Sequence, residues 1–185
     1  MKPAFLRREQ CCLLVIDPQE KLMAHICEAE RVVRNIALMI RLARTLEVPI
    51  LVSTQYRKGI GPLVPAISEL LAGLPCPDKV CFNGLADPGV QHEVQSLPEA
   101  VDTLLLCGVE THICVYQTAI GALQAGFNVR VVADAVSSRS PMNDALGQQL
   151  LREMGVVVAP AEMLIYELLQ RAGTDAFKAM LPYLK

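Results

Sequence analysis

Tryptophan is absent from this chain, and phenylalanine and tyrosine together supply only 4% of it. Any core must therefore be built from Leu, Val, Ile, Ala and Met, drawn from an apolar share of 52%. No apolar run approaches the roughly 20 residues that a bilayer-spanning helix requires, so no membrane partner is expected. Neither sign of charge is in excess: 17 Lys and Arg stand against 19 Asp and Glu, a net charge of -2. That balance gives no electrostatic case for nucleic acid or anionic lipid as a partner. Residues 1–9 are too polar for a secretory signal, and a cytoplasmic location is expected.

Several site signatures are missing as well. The first apolar run ends in Asp17-Pro18-Gln19-Glu20, with no G-x-G-x-x-G for a dinucleotide, and no P-loop occurs anywhere. A haloacid-type phosphatase would need a second Asp two residues after Asp17, where Gln19 stands; a cysteine phosphatase would need Arg six residues after Cys114, where Ile120 stands. Seven cysteines are present, but no C-x-x-C pair and no Cys/His spacing that suits zinc. Cys11, Cys12 and Cys107 lie in apolar stretches and read as small buried hydrophobes in a reducing compartment.

What is present is an alternation of short apolar runs with longer segments of helical period. Residues 11–16, 50–53, 102–107, 128–133 and 155–158 read as strands. Residues 31–46, with Val32, Ile36, Met39, Ile40 and Ala43 on one face, read as a helix, as do 111–125, 140–154 and 161–171. Near-continuous apolar strands joined through helices argue for an α/β protein with a parallel sheet covered on both faces. With no repeat, linker or low-complexity segment, residues 1–185 are expected to form one domain. Sites in such folds form at the carboxyl ends of the strands.

Three residues stand out there. Cys114 follows Leu104–Val109 and falls on the first turn of a helix, where free N–H groups and the helix dipole favour a thiolate. Asp17 closes the first strand; it is either a helix-capping aspartate or a general base set by partial burial. Lys79 is either a solvated loop lysine or, because the apolar Val80-Cys81-Phe82 follows, part of a short buried segment at the sheet edge. Brought together, a carboxylate, an ammonium and a thiol would form an acyl-transfer site.

In these features the chain resembles the isochorismatase-like cysteine hydrolases, the family of nicotinamidases and carbamoylsarcosine amidases. The resemblance rests on Leu14-Val15-Ile16-Asp17-Pro18-Gln19, on Lys79-Val80-Cys81-Phe82, on Gly108-Val109-Glu110-Thr111-His112-Ile113-Cys114-Val115-Tyr116-Gln117-Thr118-Ala119, and on Asp134-Ala135-Val136-Ser137-Ser138-Arg139. Thr54-Gln55-Tyr56-Arg57-Lys58-Gly59-Ile60-Gly61-Pro62 is similar to the isochorismatase domain-containing subgroup. The resemblance implies a three-layer, Rossmann-like α/β fold, with a six-stranded parallel sheet between helices, and a homo-oligomer. It implies an Asp17–Lys79–Cys114 triad and a cis peptide between Val109 and Glu110. The Glu110 and Cys114 N–H groups would then form an oxyanion hole. The function it implies is hydrolysis of a small amide-type substrate through a Cys114 thioester. Gln19, Gln55, Tyr56, Phe82 and His112 are candidate substrate contacts, His112 being equally open to a packing role.

The sequence departs from the nicotinamidases at the metal site. Their D-x-H motif corresponds here to Ser53-Thr54-Gln55-Tyr56-Arg57, without histidine or carboxylate, and the only histidines are His25, His92 and His112. No catalytic metal and no other cofactor is expected. Isochorismatase-type vinyl ether hydrolysis needs a proton donor and no thiol, and stays as an alternative, as does a non-catalytic binding protein on the same fold. Arg57 and Arg139 are read either as anchors for a substrate carboxylate or as surface and inter-subunit charges. Leu22, Met23 and Ile26 suggest a small, partly apolar pocket, and the apolar stretch 176–184 suggests packing on its own domain or, favoured by the family's homo-oligomers, on a partner subunit.

Overall fold

The computed structural model describes residues 5–184. Its elements, in chain order, are β1 (Cys11–Ile16), α1 (Glu20–Met23), α2 (Ala29–Thr45), β2 (Ile50–Gln55), α3 (Arg57–Ile60), α4 (Pro65–Ser68) and β3 (Asp78–Lys79). There follow α5 (Pro88–Gln95), β4 (Thr103–Val109), a π-helical turn (Thr111–Val115) that runs into α6 (Tyr116–Gln124), β5 (Asn128–Ser137), α7 (Pro141–Glu153), β6 (Val157–Ala159), α8 (Ala161–Leu169) and α9 (Asp175–Met180).

All six strands pair in parallel in one sheet, in the order β3-β2-β1-β4-β5-β6. Every residue of β1 and β4 is buried, because helices cover both faces. Side chains alternate between those faces. Cys11, Leu13 and Val15 join Leu105, Cys107 and Val109 in a core with α2, α8 and Met180. Cys12, Leu14 and Ile16 join Leu104 and Leu106 in a second core with Val115, Ala119, Ala122 and Leu151. The result is the three-layer architecture that the apolar strand pattern implied.

The strand order reverses direction between β1 and β4, which opens a crevice at the carboxyl ends of these two neighbours. Gly108 allows their close approach. Its φ is +119°, and a Cβ placed there would lie 1.9 Å from the Ile16 carbonyl oxygen. Beyond Gly108 the β4–β5 register slips: Leu106 pairs with Val131 and Gly108 with Val136. The displaced β5 segment is used structurally, since Asp134 accepts the Ala161 N–H at the start of α8 through its carboxylate (2.7 Å) and bonds from Arg31 and Asn35 through its carbonyl.

The packing bears on two of the earlier readings. The apolar stretch 176–184 folds back on its own chain: Met180 is fully buried beneath α2, Phe177 and Leu184 pack against the same core, and the Arg41 guanidinium lies 4.6 Å from the centre of the Tyr183 ring. Met23 and Ile26 are buried in the core that α2 covers, and Leu22, partly buried, packs against it.

Candidate active site

Asp17 leaves β1 with a left-handed φ of +52°, which aims its carboxylate across the sheet edge. It is fully buried. The Ser53 hydroxyl donates to its Oδ1 at 2.8 Å, and Lys79 Nζ donates to its Oδ2 at 2.5 Å. Lys79 Nζ also donates to Gln55 Oε1 at 2.7 Å, and the side chain has no exposed surface. Taking an ammonium and a carboxylate out of water is costly unless each finds full hydrogen bonding. Here Ser53 and Gln55 supply the remaining partners, and no buried side-chain N or O atom among the described residues lacks one.

Lys79 reaches this position through β3, an edge strand of two residues whose Asp78 and Lys79 pair with Thr54 and Gln55. The reason for its burial differs from the one inferred from its neighbours. Val80 and Phe82 are 69% and 51% exposed, so the buried group is the lysine and not the apolar residues after it.

Cys114 lies on the π turn directly after β4 and faces this ion pair. The Asp17 carboxylate, the Lys79 ammonium and the Glu110 backbone N–H all act on its thiol. Burial, then the Asp17 carboxylate, push the thiol up to about 12 against the lowering pull of Lys79 and the Glu110 N–H. That direction runs against the thiolate expected from the helix end, because desolvation and the adjacent carboxylate both favour the thiol.

The turn itself is braced from α7. Thr111 Oγ1 donates to Asp144 at 2.6 Å, and a Cβ at Gly147 would come within 3.2 Å of the His112 backbone. The Val115 N–H reaches back five residues to the Glu110 carbonyl, the mark of a π turn, a form concentrated at functional sites. The Val109–Glu110 peptide is cis. The Glu110 side chain, nearly buried, is held by the Arg139 N–H at 2.9 Å and its Nε at 3.1 Å.

The remaining candidate residues divide. Gln19 is fully buried and spends its amide on backbone: it donates to the Gln55 and Gly61 carbonyls and accepts the Gln55 N–H at 2.6 Å. That role is structural, and its side chain has nothing left to offer a substrate. Gln55 orients Lys79 while its own amide donates to the Val80 carbonyl. His112 is engaged by Ser138 at 2.9 Å and by Asn143 at 3.4 Å. Tyr56 and Phe82, each about half exposed, are the ones that offer free surface beside β3. Arg57 is committed to Thr54 and to the carbonyl and sulfur of Cys76. Sequence reasoning overlooked Ser53, Thr111, Asp144 and Asn143; only Ser53 left a trace, as the first polar residue of β2, opposite Ile16. Among the described residues no group of three or more His, Cys, Asp or Glu is arranged to hold a metal.

Residues 11–163 match the family model for the isochorismatase domain. The chain belongs to the isochorismatase family. Within that family it is 35% identical over 177 residues to isochorismatase domain-containing protein 2B of Mus musculus, an alignment covering 96% of this chain and 82% of the relative. The structure of a protein described as MAR1 ribonuclease from Caenorhabditis elegans superposes with a TM-score of 0.90 at 31% identity, covering 98% of this chain and 92% of that one. The YcaC gene product of Escherichia coli, described as an octameric hydrolase of unknown specificity, shares the fold with a TM-score of 0.89 at 22% identity, over 100% of this chain and 95% of its own. Isochorismatase-family membership makes this a hydrolase fold.

Proposed function

We propose that the chain is a metal-independent cysteine hydrolase that cleaves a small amide-type substrate through a thioester on Cys114. The reading is carried by one observation: a buried thiol on the turn after β4 set beside a buried carboxylate that a buried ammonium holds in place. As sulfur attacks the carbonyl carbon, its proton passes to Asp17. Lys79 steadies the charge redistributed in the site, and the Glu110 and Cys114 N–H groups hold the oxyanion. Collapse expels the amine, which takes the proton from Asp17. Water then gives a proton to Asp17, attacks the thioester, and releases the carboxylic acid and the restored thiol. No net proton or electron is left over. A nucleophile that loses its proton only during attack needs its base close by, and Asp17 is the carboxylate that acts on this thiol.

Tyr56 and Phe82 would face the substrate, while Gln55 and Arg139 act through Lys79 and Glu110. The working molecule is proposed to be a homo-oligomer of cytoplasmic location; all seven cysteines are free thiols, as a reducing compartment maintains. The C. elegans relative is described as a ribonuclease. A net charge of -2 gives this chain little to neutralise a phosphate backbone, which favours the small-carbonyl reading.

The test is a screen of small amides with wild type and Cys114→Ala, with mass spectrometry of the quenched reaction. Turnover by wild type, an acyl adduct on Cys114 and a dead alanine variant support the reading. Isochorismate cleavage that survives Cys114→Ala would replace it with vinyl ether hydrolysis.

A further inference from the structure

The outer face of α7 presents Met142, Leu146, Leu150 and, just past its end, Met154 at 67, 50, 45 and 39% exposure. These residues recur every four positions and so make one continuous ridge along the helix. Between them, Pro141, Ala145 and Gln149 are also exposed and uncharged. The one ionisable group in the first three turns, Asp144, is turned inward on Thr111 and Gln148. Charge returns only at the ends, with Arg139 before the helix and Arg152 and Glu153 in its last turn. Isolated exposed apolar residues are ordinary, whereas an uncharged apolar ridge between charged ends has the composition of an interface core with its rim.

Resting on the homo-oligomer reading above, we propose that this ridge is the surface on which a second copy of the chain docks, related by a two-fold axis. Three features select a second copy. A ridge of residues four apart packs against another of the same kind, so the face complements itself. Its centre is uncharged, so two copies meet without like-charge repulsion. The lack of lysines along the helix is unlike a helix that lies on a membrane. Val157 on the edge strand β6 and Met163 and Tyr166 on α8 are exposed as well, in a separate cleft whose lining also holds Arg7, Asp102, Arg130 and Glu167.

The same helix braces the nucleophile from its inner side, through Asp144 on Thr111 and Gly147 against His112. The docked copy would thus back the turn that carries Cys114.

Light scattering after gel filtration tests the proposal on wild type, Leu146→Glu, Leu150→Glu and Leu146→Lys. Both positions are exposed, so the variants should fold, as circular dichroism will verify. The expected result is an even multiple of 20.2 kDa for wild type, halved in each single variant. An equimolar mixture of the Leu146→Glu and Leu146→Lys chains should restore the wild-type mass, because opposite charges then meet across the axis. A monomeric wild type would overturn self-association itself, and binding of that monomer to anionic vesicles would assign the ridge to a membrane. A wild-type oligomer unchanged in the variants would leave self-association standing and overturn the α7 surface. Halved variants without rescue on mixing would overturn the two-fold arrangement.

Discussion

Replacing Lys79 by Met tests whether Asp17 and Lys79 are a desolvated ion pair. The substitution keeps a long apolar stem and removes the ammonium. It strands the Asp17 carboxylate, fully buried, with Ser53 as its remaining side-chain donor, and leaves Gln55 Oε1 without its lysine. Breaking a buried pair by removing one partner costs about 3–5 kcal/mol, and an orphaned amide oxygen about 1–3 kcal/mol more. The carboxylate can escape by taking up a proton, and holding one at pH 7 costs a carboxylic acid about 4 kcal/mol, which limits the first figure. Against a total stability of about 5–15 kcal/mol, the variant should be marginal at pH 7. The sign of its pH dependence follows. The folded variant binds a proton that the unfolded chain has released, so its deficit against wild type shrinks as pH falls from 7 towards 5, by up to ~1.4 kcal/mol per unit. Asp17→Asn combined with Lys79→Met removes both charges and should recover about 3 kcal/mol of the deficit, together with its pH dependence. Urea unfolding of the three proteins at pH 7 and 5.5 decides this. A Lys79→Met deficit under 1 kcal/mol, or one that ignores pH, would refute the reasoning.

Three further outcomes are expected. Burial lifts Cys11, Cys12 and Cys114 each to about 12 and Cys107 further, so the folded state keeps protons that the unfolded chain sheds above pH 9. Stability is therefore intact below pH 8 and falls between pH 9 and 10.5; Cys114→Ala should lessen that fall by up to ~1.4 kcal/mol per pH unit, as denaturation midpoints will register. Gly108→Ala drives a methyl into the Ile16 carbonyl at a backbone angle closed to alanine, and should cost more than about 4 kcal/mol, seen as loss of soluble protein or a collapsed melting temperature. Gln19→Ala orphans the Gln55 N–H along with two carbonyls and should cost about 2–4 kcal/mol, with protease cutting within residues 55–63 accelerated before global stability is lost.

The strands of this protein were legible because parallel strands buried on both faces leave unbroken apolar runs, as in residues 11–16 and 103–109. Asp17 was legible for the same reason: it is the first charge after such a run. Other features depended on contacts distant in sequence. β3 is two residues long, too short for any periodicity, and Lys79 is buried by pairing with β2 and Asp17 while Val80 and Phe82 face outward. The π turn interrupts a segment whose helical pattern runs on without a break, and its braces come from Asp144 and Gly147. β5 runs on to Ser137, past the predicted end at 133, because Asp134 is occupied at the start of α8 and under α2 and can be polar inside a strand. Arg139 reads as a surface cation until Glu110 is seen beneath it.

A sulfur that waits as a thiol has a consequence for survival in the cell. Peroxide and most electrophiles attack the anion, and the rate of damage follows the small fraction of anion present. On the cysteine-hydrolase reading proposed above, surroundings that oppose charge on Cys114 leave little of that form before a substrate binds, so the desolvation that sets up the attack would also slow oxidation of the sulfur.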